Sequence, residues 1–257
     1  MIGGASNQYR DLYAKSVAAM KKHIFYRPQT KAELDILIPG DLNAAGKSSS
    51  GKLETEPRAQ HLGCFAGGMV GLASRAFSLP DDLDIARKLV EGCLWAYEDS
   101  PSGIMPEVFH TMKCPAQGAC KWDEEKWLAA MADDVNKRYA KSRFAPGMTR
   151  VDDKRYILRP EAIESVFILY RLTGDRALMD RAWSMFEAIV RYTKTNVAHA
   201  ALKDVTAEDP RKTQMDSMES FFLAETLKYF YLIFDSPSEV SLDEWVLNTE
   251  AHPFRWR

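Results

Sequence analysis

The sequence predicts a mostly helical fold in which helices paired by short turns pack as an α/α toroid or bundle. Six or so segments carry apolar residues at helical spacing, and carboxylates cluster where loops meet helix starts. At 257 residues the chain can bury a sizeable core in one domain, although two domains are also possible. No internal repeat of fixed period is visible.

The first half of the chain is predicted to place helices between polar or irregular segments. The glycines near residue 65 lower helix propensity by roughly 1 kcal/mol each, so we expect them to permit the close approach of a neighbour or ligand. In order, we predict a helix at 8–26, an extended segment at 32–39, a polar hairpin tip at 40–60, helices at 61–77 and 82–98, and an irregular loop at 100–122.

The second half is predicted to be more helical. Residues 124–142 are polar, and their pattern favours no structure. Residues 155–159 look extended and lead into a helix at Pro160, a good first helical position. Helices are predicted at 160–172, 175–194 and 215–234, with a Thr-Gly-Asp turn between the first two.

Composition excludes several classes of protein. The formal net charge of -2 argues against a nucleic-acid binder, because no basic stripe is present. The sequence contains no run of about 18 apolar residues, so no transmembrane helix is predicted. The first residues also have no apolar signal-peptide core. Taken alone, these features would indicate the cytosol.

The four cysteines point the other way. Cys64 and Cys93 lie on two predicted helices, and Cys114 and Cys120 close a small Pro/Gly loop. Four cysteines allow three disulfide pairings, and free thiols are an equally good interpretation of the spacing. Disulfides would place the protein in an oxidising compartment.

Carboxylates beside Arg159 form the first candidate site. Glu161 and Glu164 are three residues apart at a helix start and therefore share a face. A carboxylate flanked by arginine stays ionised, which suits a base that activates water for glycoside hydrolysis. Helix capping is the simpler interpretation, because acids are favoured in a first turn.

A second group lies on the predicted 215–234 helix. Phe221, Glu225 and Tyr229 follow each other at intervals of four residues, so Glu225 is expected on an aromatic stripe. A buried acid costs free energy unless it is bonded or used. Glu107 and His61 are weaker candidates, since a surface acid is the better interpretation of Glu107 and a lone histidine such as His61, a cap or a ligand contact, is more often structural.

The segment Asn-Thr-Glu-Ala-His-Pro-Phe near the C-terminus concentrates polar chemistry in a few residues. Thr249 and Glu250 offer hydroxyl, carbonyl and carboxylate oxygens, which are the ligands that calcium prefers. Chain ends are usually frayed, so this pattern predicts that the segment is held in place.

Five segments together resemble glycoside hydrolase family 47, the class I α-1,2-mannosidases that trim N-glycans. They occur in the family's order, and as a set they are specific. The segments are HLGCFAGGM at 61–69, GIMPE at 103–107, YILRPEAIESVFILYRLTGD at 156–175, DSMESFFLAETLKYFYLIFD at 216–235 and NTEAHP at 248–253.

The resemblance implies an all-α (α/α)7 barrel with one calcium ion, an inverting mechanism and a high-mannose N-glycan as partner. By position, Thr249 resembles the calcium ligand, and Glu107 and Glu161 resemble catalytic carboxylates. It implies a Cys64–Cys93 disulfide, and the extra Cys114–Cys120 bridge resembles fungal members. The residues that resemble substrate contacts are His61, Arg159, Glu164, Phe221, Glu225 and Glu250.

The resemblance also predicts what this chain does not contain. Residues 1–257 correspond to the C-terminal part of a single catalytic domain, without the general-acid glutamate and a further catalytic aspartate of the family's N-terminal half. We therefore expect the chain alone to be inactive, and the full-length protein to act in the secretory pathway. The alternatives are a non-catalytic mannose-binding relative in quality control, and a different α/α-barrel enzyme such as a sugar epimerase.

Overall fold

The computed structural model describes residues 6–43, 53–115, 118–131 and 134–255. Five of the predicted helices, at 8–26, 61–77, 82–98, 160–172 and 175–194, are confirmed with ends that differ by a few residues. A 3₁₀ turn at His61–Cys64 precedes the second of them. The helices are α1 (Gln8–His23), α2 (Phe65–Ala76), α3 (Pro80–Glu98), α4 (Glu124–Ala129), α5 (Asp134–Arg143), α6 (Glu161–Thr173), α7 (Ala177–Thr193) and α8 (Leu227–Phe234).

Short antiparallel strands connect the helices. The strands are β1 (Phe25–Tyr26), β2 (Ile38–Pro39), β3 (Asp41–Asn43), β4 (Glu54–Glu56), β5 (Arg58–Gln60), β6 (Val108–Thr111), β7 (Met148–Asp153), β8 (Trp245–Leu247) and β9 (Pro253–Arg255). Strand β6 lies between β5 and β7, so Phe109 pairs with both Ala59 and Val151. The irregular loop predicted at 100–122 was therefore wrong over β6, because its partners are distant in sequence.

Two other predictions in the first half need adjustment. The extended segment predicted at 32–39 is a strand only in β2, at its last two residues. Strands β3 and β4 pair as a hairpin within the predicted polar segment, and the tip at 44–52 lies outside the described residues.

The helix predicted at 215–234 was wrong at its start. Helical structure begins at Phe221 and passes through a π-helical segment, Phe222–Thr226, before α8. The preceding backbone instead pairs with a distant segment: the Met215 N–H donates to the Ala201 carbonyl, and the Ala201 N–H donates to the Ser217 carbonyl, each at 2.8 Å. Long-range hydrogen bonds have replaced the first helical turn.

Helix α2 lies between α3 and α6 and positions the start of α6. A Cβ at Gly67 would come within 2.8 Å of the Val90 side chain on α3, and one at Gly68 within 2.8 Å of the Ile168 side chain on α6. The Ser165 hydroxyl on α6 also accepts the Gly68 N–H at 2.8 Å. The predicted close approach is confirmed, and the neighbours are helices.

Two disulfides hold this arrangement together. Cys64 is bonded to Cys93, and Cys114 to Cys120. The first bond joins the 3₁₀ turn before α2 to the middle of α3. None of the described helices combines the length and the apolar character that crossing a bilayer requires.

The α7–α8 edge of the molecule, here called the aromatic edge, exposes large apolar side chains. Trp183 on α7 is 49% exposed, and Tyr231 and Phe234 on α8 are 67% and 41% exposed. They surround a cavity of about 230 Å³ that Leu227 and Phe230 also line. Apolar side chains of α8 therefore face outward at this edge as well as into the core, as on a helix that has packing partners on more than one side.

A buried cluster of glutamates

The start of α6 collects the predicted catalytic residues. Glu107 lies just before β6, and Arg159 lies two residues before α6. The segment predicted to be extended at 155–159 makes one bridge, at Tyr156, and turns at Leu158. Arg159 donates from Nε to Glu107 Oε2 at 2.5 Å, and its NH1 lies 3.4 Å from Glu161 Oε1. Pro160 directly precedes the helix, which begins at Glu161. One guanidinium therefore bridges two buried carboxylates from different parts of the chain.

His61 holds the other oxygen of Glu161. The imidazole is fully buried, and its Nδ1 lies 3.0 Å from Glu161 Oε2. Its Nε2 lies 2.7 Å from the hydroxyl of Tyr97 on α3. His61 therefore has no exposed surface, and its ring lies between Glu161 and Tyr97.

The environment keeps Glu161 ionised. Burial by itself would raise the pKa of Glu161, but the hydrogen bond from His61 and the positive charge of Arg159 bring that pKa below its ordinary value. Both carboxylate oxygens face a basic side chain. A carboxylate held in this way accepts a proton in a reaction and does not donate one.

Glu164 lies one turn further along α6 in a different environment. It is 6% exposed, and the Tyr229 hydroxyl on α8 donates to its Oε1 at 2.7 Å. Burial is the main cause that raises the pKa of Glu164 to about 7, and the negative charges of Glu161 and Glu225 contribute to the rise.

Glu225 reaches the cluster from the π-helical segment. It is 9% exposed, and burial first, then the charges of Glu161 and Glu250, raise its pKa. The next residue, Thr226, donates from its hydroxyl to the Leu158 carbonyl at 2.7 Å, where the Leu158 backbone has a φ of +67°. The π-helical segment therefore fixes both Glu225 and the chain that carries Arg159.

The predicted ordering of the C-terminal segment is confirmed. Strands β8 and β9 pair across a turn in which the Asn248 side-chain oxygen accepts the backbone N–H groups of Glu250 and His252 at 3.0 and 2.9 Å. The Lys228 ammonium on α8 donates to the carbonyl of the buried Ala251 at 2.9 Å. This leaves Thr249 and Glu250 exposed at the turn.

Thr249 and Glu164 line the same cavity. Its volume is about 280 Å³, and its walls include Phe65 of α2 and Trp245 of β8. Phe221, half-buried at the start of the π-helical segment, is not among its lining residues. The tertiary structure has thus brought the predicted calcium ligand and one predicted substrate contact together.

The donor chemistry of this cavity fits a hard cation. Over the residues that the structure describes, no group of three or more His, Cys, Asp or Glu side chains is arranged to hold a metal. Calcium also binds hydroxyl, carbonyl and water oxygens, which Thr249 offers beside Glu164. Burial, and after it the charges of neighbouring glutamates, raise the pKa values of Glu164 and Glu225, and a nearby cation would counteract both causes.

Sequence reasoning missed two of the cluster's residues. Tyr97 carries no motif, although it lies one helical turn beyond Cys93 and so on the face of α3 that the disulfide turns toward His61. Thr226 follows Glu225 directly, but only the π-helical geometry reveals its bond to Leu158.

Buried carboxylates gathered at the start of one helix, with an arginine and a cavity that Glu164 and Thr249 line, are features expected of a helical glycosidase. The chain belongs to glycosyl hydrolase family 47, whose model matches residues 1–256. It is similar over 97% of its length to the solved alpha-1,2-mannosidase from Trichoderma reesei, with 31% identity and a TM-score of 0.79. The predicted fold class is therefore confirmed: the structure is part of an (α/α)7 barrel.

Curated relatives agree with this assignment. A mannosyl-oligosaccharide 1,2-alpha-mannosidase of Arabidopsis thaliana is 35% identical over 84% of this chain. The human endoplasmic reticulum mannosyl-oligosaccharide 1,2-alpha-mannosidase is 30% identical over 98% of it. The chain spans 35% and 31% of the lengths of these two proteins, and 47% of the solved structure.

Proposed function

We propose that this chain supplies the base-side and calcium-holding part of an inverting α-1,2-mannosidase acting on mannosyl-oligosaccharides, with high-mannose N-glycans as substrates. The observation that carries the proposal is the buried cluster of four glutamates, Glu107, Glu161, Glu164 and Glu225, beside the cavity lined by Thr249. Family membership and the names of the relatives support the same activity.

Glu161 is proposed as the catalytic base. An inverting glycosidase needs a carboxylate that removes a proton from the attacking water, on the face opposite the leaving group. Its lowered pKa keeps Glu161 ready for that step, and Arg159 and His61 fix both of its oxygens. Glu107 is proposed as a further active-site acid, which Arg159 orients.

Calcium is proposed as the cofactor, held by the hydroxyl and backbone carbonyl of Thr249. Glu164, Glu225 and Glu250, with Glu161, would hold water around the ion. The bound ion would supply positive charge that orients water and sugar hydroxyls. That charge would offset the repulsion that raises the pKa values of Glu164 and Glu225.

The remaining predicted substrate contacts divide by exposure. Arg159, with 26% of its side chain exposed, Phe221 and Glu250 have surface with which to meet a mannose ring or its hydroxyls. His61 is fully buried, and we propose that it serves the substrate through Glu161.

We further propose that the general acid comes from the remainder of the family's catalytic domain. The chain matches 47% of the solved relative, so a complete barrel needs further helices, and the aromatic edge offers the uncovered apolar surface on which they would pack. The two disulfides support a home in the secretory pathway, and the endoplasmic reticulum or Golgi is the compartment that we propose.

Calcium titration by calorimetry tests the metal site without needing turnover. Thr249→Val removes the hydroxyl and should weaken calcium binding at least tenfold. Thr195→Val removes a hydroxyl from a turn after α7 and should leave the affinity unchanged. Equal affinity in the wild type and Thr249→Val would contradict the assigned ligand.

Hydrolysis of an α-1,2-linked mannobiose tests the activity. The intact protein from its natural source should release mannose with inverted anomeric configuration, while residues 1–257 alone should not. Calcium and mannose binding by the intact protein without turnover would reject the enzyme and leave the mannose-binding quality-control relative as the explanation.

A further inference from the structure

The contacts behind Glu161 form a chain of three buried side chains from three elements. The His61 imidazole, in the 3₁₀ turn, lies between Glu161 at the start of α6 and Tyr97 on α3. His61 is 0% exposed and Tyr97 is 1% exposed, so water does not reach the hydrogen bonds between them. The Cys64–Cys93 disulfide ties the turn to α3 beside this contact.

The position of each hydrogen in this chain follows from the partners. Glu161 is ionised and can only accept, so His61 Nδ1 carries a hydrogen. His61 Nε2 then either accepts from the Tyr97 hydroxyl or, in a doubly protonated ring, donates to it. In the second case the Tyr97 hydroxyl would have to donate to the neighbouring Tyr156 hydroxyl. The buried Tyr156 hydroxyl has no further hydrogen-bond partner among the described residues, so its own hydrogen would then be unpaired.

The first arrangement satisfies every atom. Leaving a buried hydroxyl hydrogen unpaired is unfavourable, whereas donation from Tyr97 to Nε2 leaves the Tyr97 oxygen able to accept the hydrogen of Tyr156. Tyr97 also keeps its hydrogen, because burial, chiefly, and then the neighbouring Tyr156, Glu161 and Glu107 raise its pKa well above the ordinary value.

We propose that Tyr97 is a positioning residue, which donates its hydroxyl hydrogen to His61 Nε2 and so locks the imidazole in the Nδ1–H tautomer that holds Glu161. The alternative tautomer would turn a lone pair of Nδ1 toward the Glu161 carboxylate and lose the bond. The contribution of Tyr97 to catalysis rests on the proposed function of Glu161 as base. The arrangement of hydrogens on Tyr97 and His61 does not depend on that function.

Long-range ¹H–¹⁵N spectra of the histidine-labelled protein test this proposal directly. In the wild type, His61 should show one protonated nitrogen at δ1 and one unprotonated nitrogen at ε2, and His61→Gln should remove and thereby assign these signals. Tyr97→Phe should abolish the single pattern, giving mixed tautomers or an Nε2–H ring.

A matched control separates this effect from the general loss of a buried hydroxyl. Tyr26 is 3% exposed and its hydroxyl lies 2.9 Å from the Thr111 hydroxyl, away from His61. Tyr26→Phe should leave the His61 signals unchanged.

Two results would overturn the proposal: a wild-type His61 that is doubly protonated or Nε2–H, or a Tyr97→Phe variant with the wild-type pattern. If Tyr97→Phe does not fold, the wild-type spectrum alone decides. Absence of mannobiose hydrolysis by the intact protein, when its His61 shows the expected pattern, would reject the proposed function and leave the role of Tyr97 standing.

Discussion

The two sides of the glutamate cluster balance their charge in opposite ways. On the paired side, Glu107 and Glu161 share the guanidinium of Arg159, and His61 takes the remaining oxygen of Glu161. On the unpaired side, the bond that holds Glu164 comes from the neutral hydroxyl of Tyr229. The pKa of Glu161 is lowered and that of Glu164 is raised, although burial acts on both.

This difference teaches which part of the site is complete within the chain. The paired side is built from protein groups, and these hold the pKa of Glu161 below its ordinary value without any further ligand. The unpaired side lies beside a cavity that Glu164 and Thr249 line together with apolar side chains, and a bound cation would reduce the repulsion between its carboxylates. The two sides should therefore respond differently to substitution, to pH and to calcium.

The largest effect is expected on the paired side, from Arg159→Met. This change leaves Glu107 buried without its cation, and breaking a buried ion pair typically costs about 3 kcal/mol. Urea denaturation should show that loss in the free energy of unfolding. Arg155→Met, which removes a half-exposed partner of Asp153 nearby, should cost at most about 1 kcal/mol. Equal losses in the two variants would mean that the paired side does not depend on its buried charge.

The next effect concerns pH on the unpaired side in calcium-free buffer. Glu164 has a pKa of about 7 in the folded protein against an ordinary 4.5, so the folded state holds more protons between these values. Stability is therefore full below about pH 4.5 and falls as pH rises toward 7, by about 2–3 kcal/mol from this residue.

Glu164→Gln tests that pH dependence, because the amide still accepts from Tyr229 but does not ionise. The variant should lose this part of the decline in unfolding free energy, and saturating calcium should reduce the decline in the wild type. Glu187→Gln changes an exposed acid on α7 and serves as the control. An unchanged decline in Glu164→Gln would show that another group titrates.

The smallest effect is expected from Tyr229→Phe. The Tyr229 hydroxyl lowers the pKa of Glu164 against the larger influence of burial, so its removal should raise that pKa further. The lost hydrogen bond should cost about 1–2 kcal/mol. ¹³C titration of the labelled Glu164 carboxyl group measures this pKa. Tyr170→Phe, which lies on α6 like Glu164, serves as the control. A lower Glu164 pKa in Tyr229→Phe would contradict this account of the unpaired side.

The helices were predictable because their apolar residues follow the 3.6-residue period and local signals mark their ends. Gly174 after α6 has a φ of +70°, as a glycine helix stop requires. The glycines of α2 were correctly assigned to close approach, though the sequence did not name α3 and α6 as the neighbours. Strand β6 and the non-helical start of 215–234 were missed, because both depend on partners far away in sequence.

The candidate site shows the same division. The sequence identified Arg159, Glu161 and Glu164 as neighbours at one helix start and offered Thr249 as a calcium ligand, and the resemblance gave Glu107 a catalytic role. It did not show that Arg159 bridges the two proposed catalytic acids. The sequence also did not show that the pKa of Glu161 is lowered while that of Glu164 is raised. Spacing of i and i+3 places two acids on one helix face, but their environments depend on what packs against each of them.

By itself, the sequence determined the order of the main helices, the family and the set of residues from which a site is built, since these depend on local pattern and motif. Only the tertiary structure decided which carboxylates pair with Arg159, which one accepts a hydrogen bond from Tyr229 and which residue contacts the Nε2 atom of His61. Ionisation and hydrogen bonding depend on distance and burial, and those quantities exist only once α2, α3, α6 and α8 have packed together.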